Sequence, residues 1–82
     1  MVVEYPLLSE KAVGLIEREN KLVFIVDKDA TKKDVKKSVE ELYKVKVVDV
    51  NTSINQKGQK MAFVKLAKES KASDVATKLK II

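Results

Sequence analysis

The sequence predicts an α+β fold, a single domain over residues 1–82 in which three to four mainly antiparallel strands form a split β-α-β core with helices packed on the sheet. Three observations carry this. Residues 21–27, Lys-Leu-Val-Phe-Ile-Val-Asp, are β-branched and aromatic with apolar side chains on both faces, the mark of a central strand. Thr31, with Asp34 in the capping-box position, opens an amphipathic helix. Two extended segments, 45–55 and 60–67, flank the turn Gln56-Lys57-Gly58-Gln59 and read as a hairpin.

The elements follow in order. Tyr5 is extended because Pro6 disfavours helical geometry in the residue before it, so a short strand can precede Pro6. Ser9 caps a helix reaching about Glu19, with Leu8, Ala12, Leu15 and Ile16 as its apolar stripe. Lys11 and Arg18 lie seven residues apart on one outer face of it. After the central strand, the second helix runs to about Lys44 and buries Val35, Val39 and Leu42. The strand from Val45 to Asn55 turns polar outward at Asp49, Asn51 and Ser53. It should run parallel to the central strand through a right-handed crossover, with the returning strand 60–67 between the two and antiparallel to both. A short helix over about 73–79 closes the reading, with Val75 and Leu79 sharing a face with Ile82.

Composition excludes most chemistry. The chain has no Cys and no His, which removes thiolate chemistry, disulfides, and the commonest general base and metal ligand. A reducing, cytoplasmic setting fits. The longest apolar run, Leu22 to Val26, is far short of the roughly 20 residues that span a bilayer, so no membrane insertion is expected. Glu10, Glu17 and the Glu40–Glu41 pair read as solvated helix faces. Asp27 and Asp29 beside Lys28 do not complete a calcium loop. Gly14 and Gly58 are too far apart for a phosphate-cradling loop. Neither an enzyme nor a cofactor is expected.

Charge points instead to a polyanion. The net charge is +5, and it is uneven: residues 1–41 hold eight cations against nine acids, whereas residues 42–82 hold nine lysines against three acids. Sixteen of the 17 cations are Lys, which suits phosphate neutralisation better than bidentate reading of base edges. The alternative is a lysine-rich solvated surface. The second helix sharpens the choice. Lys32 and Lys33 occupy its first turn and Glu40 and Glu41 its last turns, each opposed to the helix dipole at a cost of about 0.3–1 kcal/mol. Lys32 and Lys36 are thereby candidates for phosphate contact, against the simpler reading that they are solvated. Lys57 and Lys60 around the hairpin tip, with Lys65 further along the return strand, form a second candidate. Asn51 and Thr52, polar within a strand, can reach sugar or phosphate, or merely bond a neighbouring loop.

The run Ala30-Thr31-Lys32-Lys33-Asp34-Val35-Lys36-Lys37-Ser38-Val39-Glu40-Glu41-Leu42-Tyr43, followed by Val45-Lys46-Val47 and Val50-Asn51-Thr52, closely resembles the large-subunit ribosomal protein L-twenty-three family. So do the opening Tyr5-Pro6-Leu7-Leu8-Ser9-Glu10-Lys11 and the strand Met61-Ala62-Phe63-Val64-Lys65-Leu66. The compact form looks like the archaeal branch. The resemblance implies a monomer when free that binds large-subunit ribosomal RNA beside the polypeptide exit tunnel, among neighbouring ribosomal proteins. It implies RNA contact at Lys32, Lys36, Asn51 and Thr52, and Lys11, Lys57, Lys60 and Lys65 join them as candidate rRNA-binding residues. It also implies a protein-docking role for Glu10 toward exit-site factors such as the signal recognition particle or the translocation channel. The long basic loop that bacterial members carry between the last two strands is here only Gln56-Lys57-Gly58-Gln59, so deep lining of the tunnel is not expected.

A single-stranded RNA-binding module of the RNA-recognition-motif type is the alternative, because the order of strands and helices from residue 21 imitates it. That mode stacks bases on aromatics across an open sheet face. Only Phe24 and Phe63 lie on the predicted strands, and Phe63 is expected to act mainly through packing.

Overall fold

The structure, a computed structural model, describes residues 2–7, 9–72, 74 and 75. Along the chain it holds β1 (Val3–Pro6), α1 (Glu10–Glu19), β2 (Lys21–Val26), α2 (Lys32–Tyr43), β3 (Val47–Ile54) and β4 (Lys60–Leu66). The four strands form one sheet in the order β1-β2-β4-β3, and every neighbouring pair is antiparallel. β4 therefore lies between β2 and β3, which run parallel to each other across it, as the crossover through α2 requires.

Both helices start and stop where their caps dictate. The Ser9 hydroxyl accepts the Ala12 N–H at 3.1 Å, and Asn20 ends α1 in the left-handed region with φ 56°. The Thr31 hydroxyl accepts the Asp34 N–H at 3.1 Å while the Asp34 carboxylate accepts the Thr31 N–H at 3.0 Å, a complete capping box. Lys44, with φ 57°, ends α2.

The core lies mainly on one face of the sheet. Leu22, Phe24 and Val26 of β2 pack with Ala62, Val64 and Leu66 of β4 beneath Val35 and Val39 of α2. The other face of β2, Val23 and Ile25, is equally buried, and α1 lies over it. The sandwich thus has three layers, α2 and α1 on opposite sides of the sheet.

Four expectations need correction. Leu42 is 53% exposed and outside the core. The buried stripe of α2 instead advances in steps of four through Val35, Val39 and Tyr43, whose ring stacks on Phe24 at 5.8 Å and 11°. A step of four turns the stripe by about 40°, so its third member is Tyr43 rather than the residue before it. The strand expected from Val45 starts at Val47, because the left-handed Lys44 redirects the chain first. Its other end stops at Ile54, since Asn55 belongs to the turn and its Oδ1 accepts the N–H groups of Lys57 and Gln59. The returning strand ends at Leu66, where Ala67 turns toward Lys46. The helix expected over 73–79 falls largely outside the described residues, of which Asp74 and Val75 are helical along with Ala72.

Candidate nucleic-acid interface

On the sheet face opposite α2, β4 presents Met61, Phe63 and Lys65. Their directly paired partners on β3 are Ser53, Asn51 and Asp49. Among the described residues α1 covers only the β2 side of this face, so the β4–β3 half stays open: Asp49, Asn51, Ser53 and Lys65 are exposed, and Met61 and Phe63 half-buried. The alternation of a strand places Asn51 here and Thr52 on the other face, paired with buried Ala62.

Two unlike depressions lie between α1 and β4. The one near the start of α1 is an apolar slot of about 170 Å³ floored by Val23, Met61 and Phe63, with Leu15 on its wall and Lys11 at its rim. The other, near the end of α1, is an open cleft of about 720 Å³ bordered by Arg18, Lys65, Lys68 and Lys71, with Glu17 and Glu19 on the α1 side. Glu19 is already engaged with Lys21 at 3.2 Å. Lys11 borders the slot and Arg18 the cleft, two turns apart and so about 10 Å along the helix.

The cleft owes its shape to Asn20. Its amide nitrogen donates to the carbonyls of Leu66 and Ala67 at 3.2 Å each and of Ser70 at 3.0 Å. Its amide oxygen accepts the Ala72 N–H at 2.7 Å. One side chain thereby holds residues 66–72 against the end of α1, and carries Lys68 and Lys71 to the cleft wall. Sequence reasoning passed over Asn20, Lys68 and Lys71. An Asn just past the last helical residue is a signal for a left-handed cap, but its reach across some fifty residues leaves no local trace.

The remaining candidates lie elsewhere. Lys32 and Lys36 are exposed on α2, in the layer on the far side of the sheet from the slot and the cleft. Thr52 is half-buried on that same side. Lys57 is exposed at the hairpin tip, where Gly58 adopts φ 79°. Lys60 is tied down: its ammonium donates to the Ala30 carbonyl at 2.7 Å and to that of Lys28 at 3.4 Å, fastening β4 to the loop before α2. Glu10 is exposed in the first turn of α1, where an acid suits the dipole.

The reversed charges of α2 have a partly structural origin. Glu40 sits at the wrong end for the dipole because its carboxylate accepts the Val47 N–H at 3.0 Å, satisfying a donor where β3 begins. Asp34 offsets the lysines of the first turn. Its carboxyl is held below the ordinary range by the Thr31 backbone N–H first, then by the Thr31 hydroxyl and Lys37. Burial pushes the Tyr43 phenol up. No reason within the fold emerges for Lys32 and Lys36: among the described residues neither forms an ion pair.

This arrangement suits binding a polyanion. Among the described residues no group of three or more acidic side chains converges on a metal position, and no helix is long and apolar enough to cross a membrane. The open-sheet mode of the alternative reading is half blocked, because α1 covers the face of β2 that would carry bases. The family model described as Ribosomal protein L23 matches residues 1–80. The large ribosomal subunit protein uL23 of Methanococcus aeolicus is 54% identical over 80 residues, which cover 98% of this chain and 93% of that protein. The proteins of the same name from Methanothermobacter thermautotrophicus and Methanococcus vannielii are 49% and 48% identical, over 95% and 98% of this chain and 91% and 93% of theirs. A match running through both helices and all four strands, at about half identity to archaeal relatives, makes this chain a member of the ribosomal protein L23 family.

Proposed function

We propose that this chain is a structural, non-enzymatic component of the large ribosomal subunit that binds large-subunit rRNA beside the polypeptide exit tunnel and offers a docking surface to nascent-chain factors. The observation that carries RNA binding is the basic cleft, where Arg18, Lys65, Lys68 and Lys71 converge from α1, β4 and the segment after it. Cations gathered from three parts of the chain can neutralise several phosphates of a folded RNA at once, with release of its counterions. Lys32 and Lys36 supply a second contact surface in the α2 layer, and Lys57 offers a further cation at the hairpin tip. A protein that meets RNA through two layers belongs inside a folded ribonucleoprotein rather than along a single strand.

The test is the salt dependence of binding to purified large-subunit rRNA. Replacing Lys65, Lys68 and Lys71 together with Ala should make the slope of log K against log salt shallower by about 2–3, and replacing Lys32 and Lys36 by about 1.5–2. Unchanged slopes in both variants would remove these lysines from the interface.

Glu10 carries the docking proposal because it is exposed at the outer end of α1, away from the basic cleft at the other end of the helix. In ribosomes reconstituted with Glu10→Lys, binding of the signal recognition particle or the translocation channel should weaken while the protein stays on the subunit. Equal factor binding in wild-type and variant particles would sink the assignment.

A further inference from the structure

The apolar slot beside the start of α1 has no part in the phosphate neutralisation proposed for the cleft, and it is built differently. Its floor and walls are mostly hydrophobic side chains from α1, β2 and β4, with Ser9 and Lys11 among them, above core residues that are buried. Phe63 lies half-buried at the boundary of the slot and the open sheet, with Asn51 directly opposite it on β3 and exposed. Lys11 lies at the rim of the slot, and Lys65 follows Phe63 by two residues on the same face of β4. Cross-strand neighbours lie about 4.5–5.5 Å apart between Cβ atoms, so a group resting against Phe63 is within reach of the Asn51 amide.

We propose that this slot receives one unstacked nucleobase of the bound RNA, held against Phe63 and Met61, with its edge on Asn51 and its flanking phosphates on Lys11 and Lys65. The inference rests on the rRNA-binding reading and adds to it a base contact that lysines alone do not make. Charge argues for the occupant. An apolar peptide side chain would gain nothing from Lys11 at the rim or Lys65 further along β4, whereas a nucleotide carries a flat apolar base between two phosphates. RNA is recognised through bases splayed out of the helix and stacked on aromatic rings, with a side-chain amide reading the hydrogen-bonding edge. Phe63 thus has a role beyond the packing expected of it, because packing alone would not leave the ring at the edge of an open slot. The half of the sheet that α1 leaves uncovered holds one base, not a strand of them.

The proposal is tested on the complete chain bound to purified large-subunit rRNA. Ultraviolet cross-linking and mass spectrometry should find a single-nucleotide adduct on Phe63 or Met61. Phe63→Leu keeps the apolar bulk and loses the ring. It should weaken rRNA binding by about five- to a hundred-fold, while the salt slope stays that of the wild type. The unfolding midpoint of the free variant controls for folding. Adducts confined to residues 65–71, together with wild-type affinity in Phe63→Leu, would overturn the base contact and leave the basic cleft standing. Failure of the wild-type chain to bind the rRNA at physiological salt would overturn the rRNA-binding reading itself.

Discussion

Asn20 does three jobs at once. Its backbone ends α1 in a left-handed conformation, its amide nitrogen donates to the carbonyls of Leu66 at the end of β4 and of Ala67 and Ser70 beyond it, and its amide oxygen accepts the N–H of buried Ala72. An ordinary L-residue is penalised at this φ, which Asn tolerates better than most. Replacing Asn20 with Ala should therefore destabilise the protein by about 2–3 kcal/mol in urea unfolding, since several hydrogen bonds at about 1 kcal/mol each are lost and an N–H is left unpaired. Asn20→Gly relieves the backbone but restores no hydrogen bond, so it should recover only part of that loss. An Ala variant within 0.5 kcal/mol of wild type would show that the amide is not the fastening. Gly14 is the quieter counterpart: the Arg18 guanidinium folds back over it, and the Arg18 Nε–H donates to the Gly14 carbonyl at 3.3 Å. The absent Cβ thus lets a cleft cation lie along its own helix.

At the scale of the element, α2 shows how local stability and function divide a sequence between them. Its capping box obeys helix rules, and Glu40 breaks them in order to satisfy β3. Lys32, Lys33 and Glu41 break them with no side-chain bond in return among the described residues. The capping box has a pH signature. The Asp34 carboxyl is held below its unfolded value by bonds that exist only in the folded state. Its stabilising contribution is therefore complete above the unfolded value, near pH 4, and fades as pH falls through the lower folded one. Asp34→Ala should lower the urea midpoint at pH 7. The gap from wild type should narrow as pH drops from about 5 toward 2. Asp34→Asn, which can still accept the Thr31 N–H without titrating, should show a smaller gap at neutral pH. A gap that stays constant over this range would mean that the carboxylate charge contributes nothing.

At the scale of the molecule, three layers place two basic surfaces on opposite sides of one sheet. Much of this was legible in the chain. Both helix starts could be read at Ser9 and Thr31 because a cap acts within three residues, and the central strand could be read because a strand buried on both sides loses its polar alternation. The position of β4 between its neighbours followed from the hairpin and the handedness of the crossover. Leu42 was misplaced because heptad spacing and a four-residue advance diverge by the second turn, and only contact with Phe24 selects Tyr43. The site was legible as a kind of surface but not as a place. Composition marked the chain as a cationic part that lacks His and Cys, and its ordered blocks carried the family resemblance. Charge and alternation along a chain are one-dimensional properties, and the sequence alone determines those. Whether Lys11 and Lys65 meet, whether Lys60 is free or tied to Ala30, and whether Phe63 is core or rim depends on which helix covers which half of the sheet. Only the tertiary structure decided that, through the packing of α1 on β2 and the grip of Asn20 on residues distant in the chain.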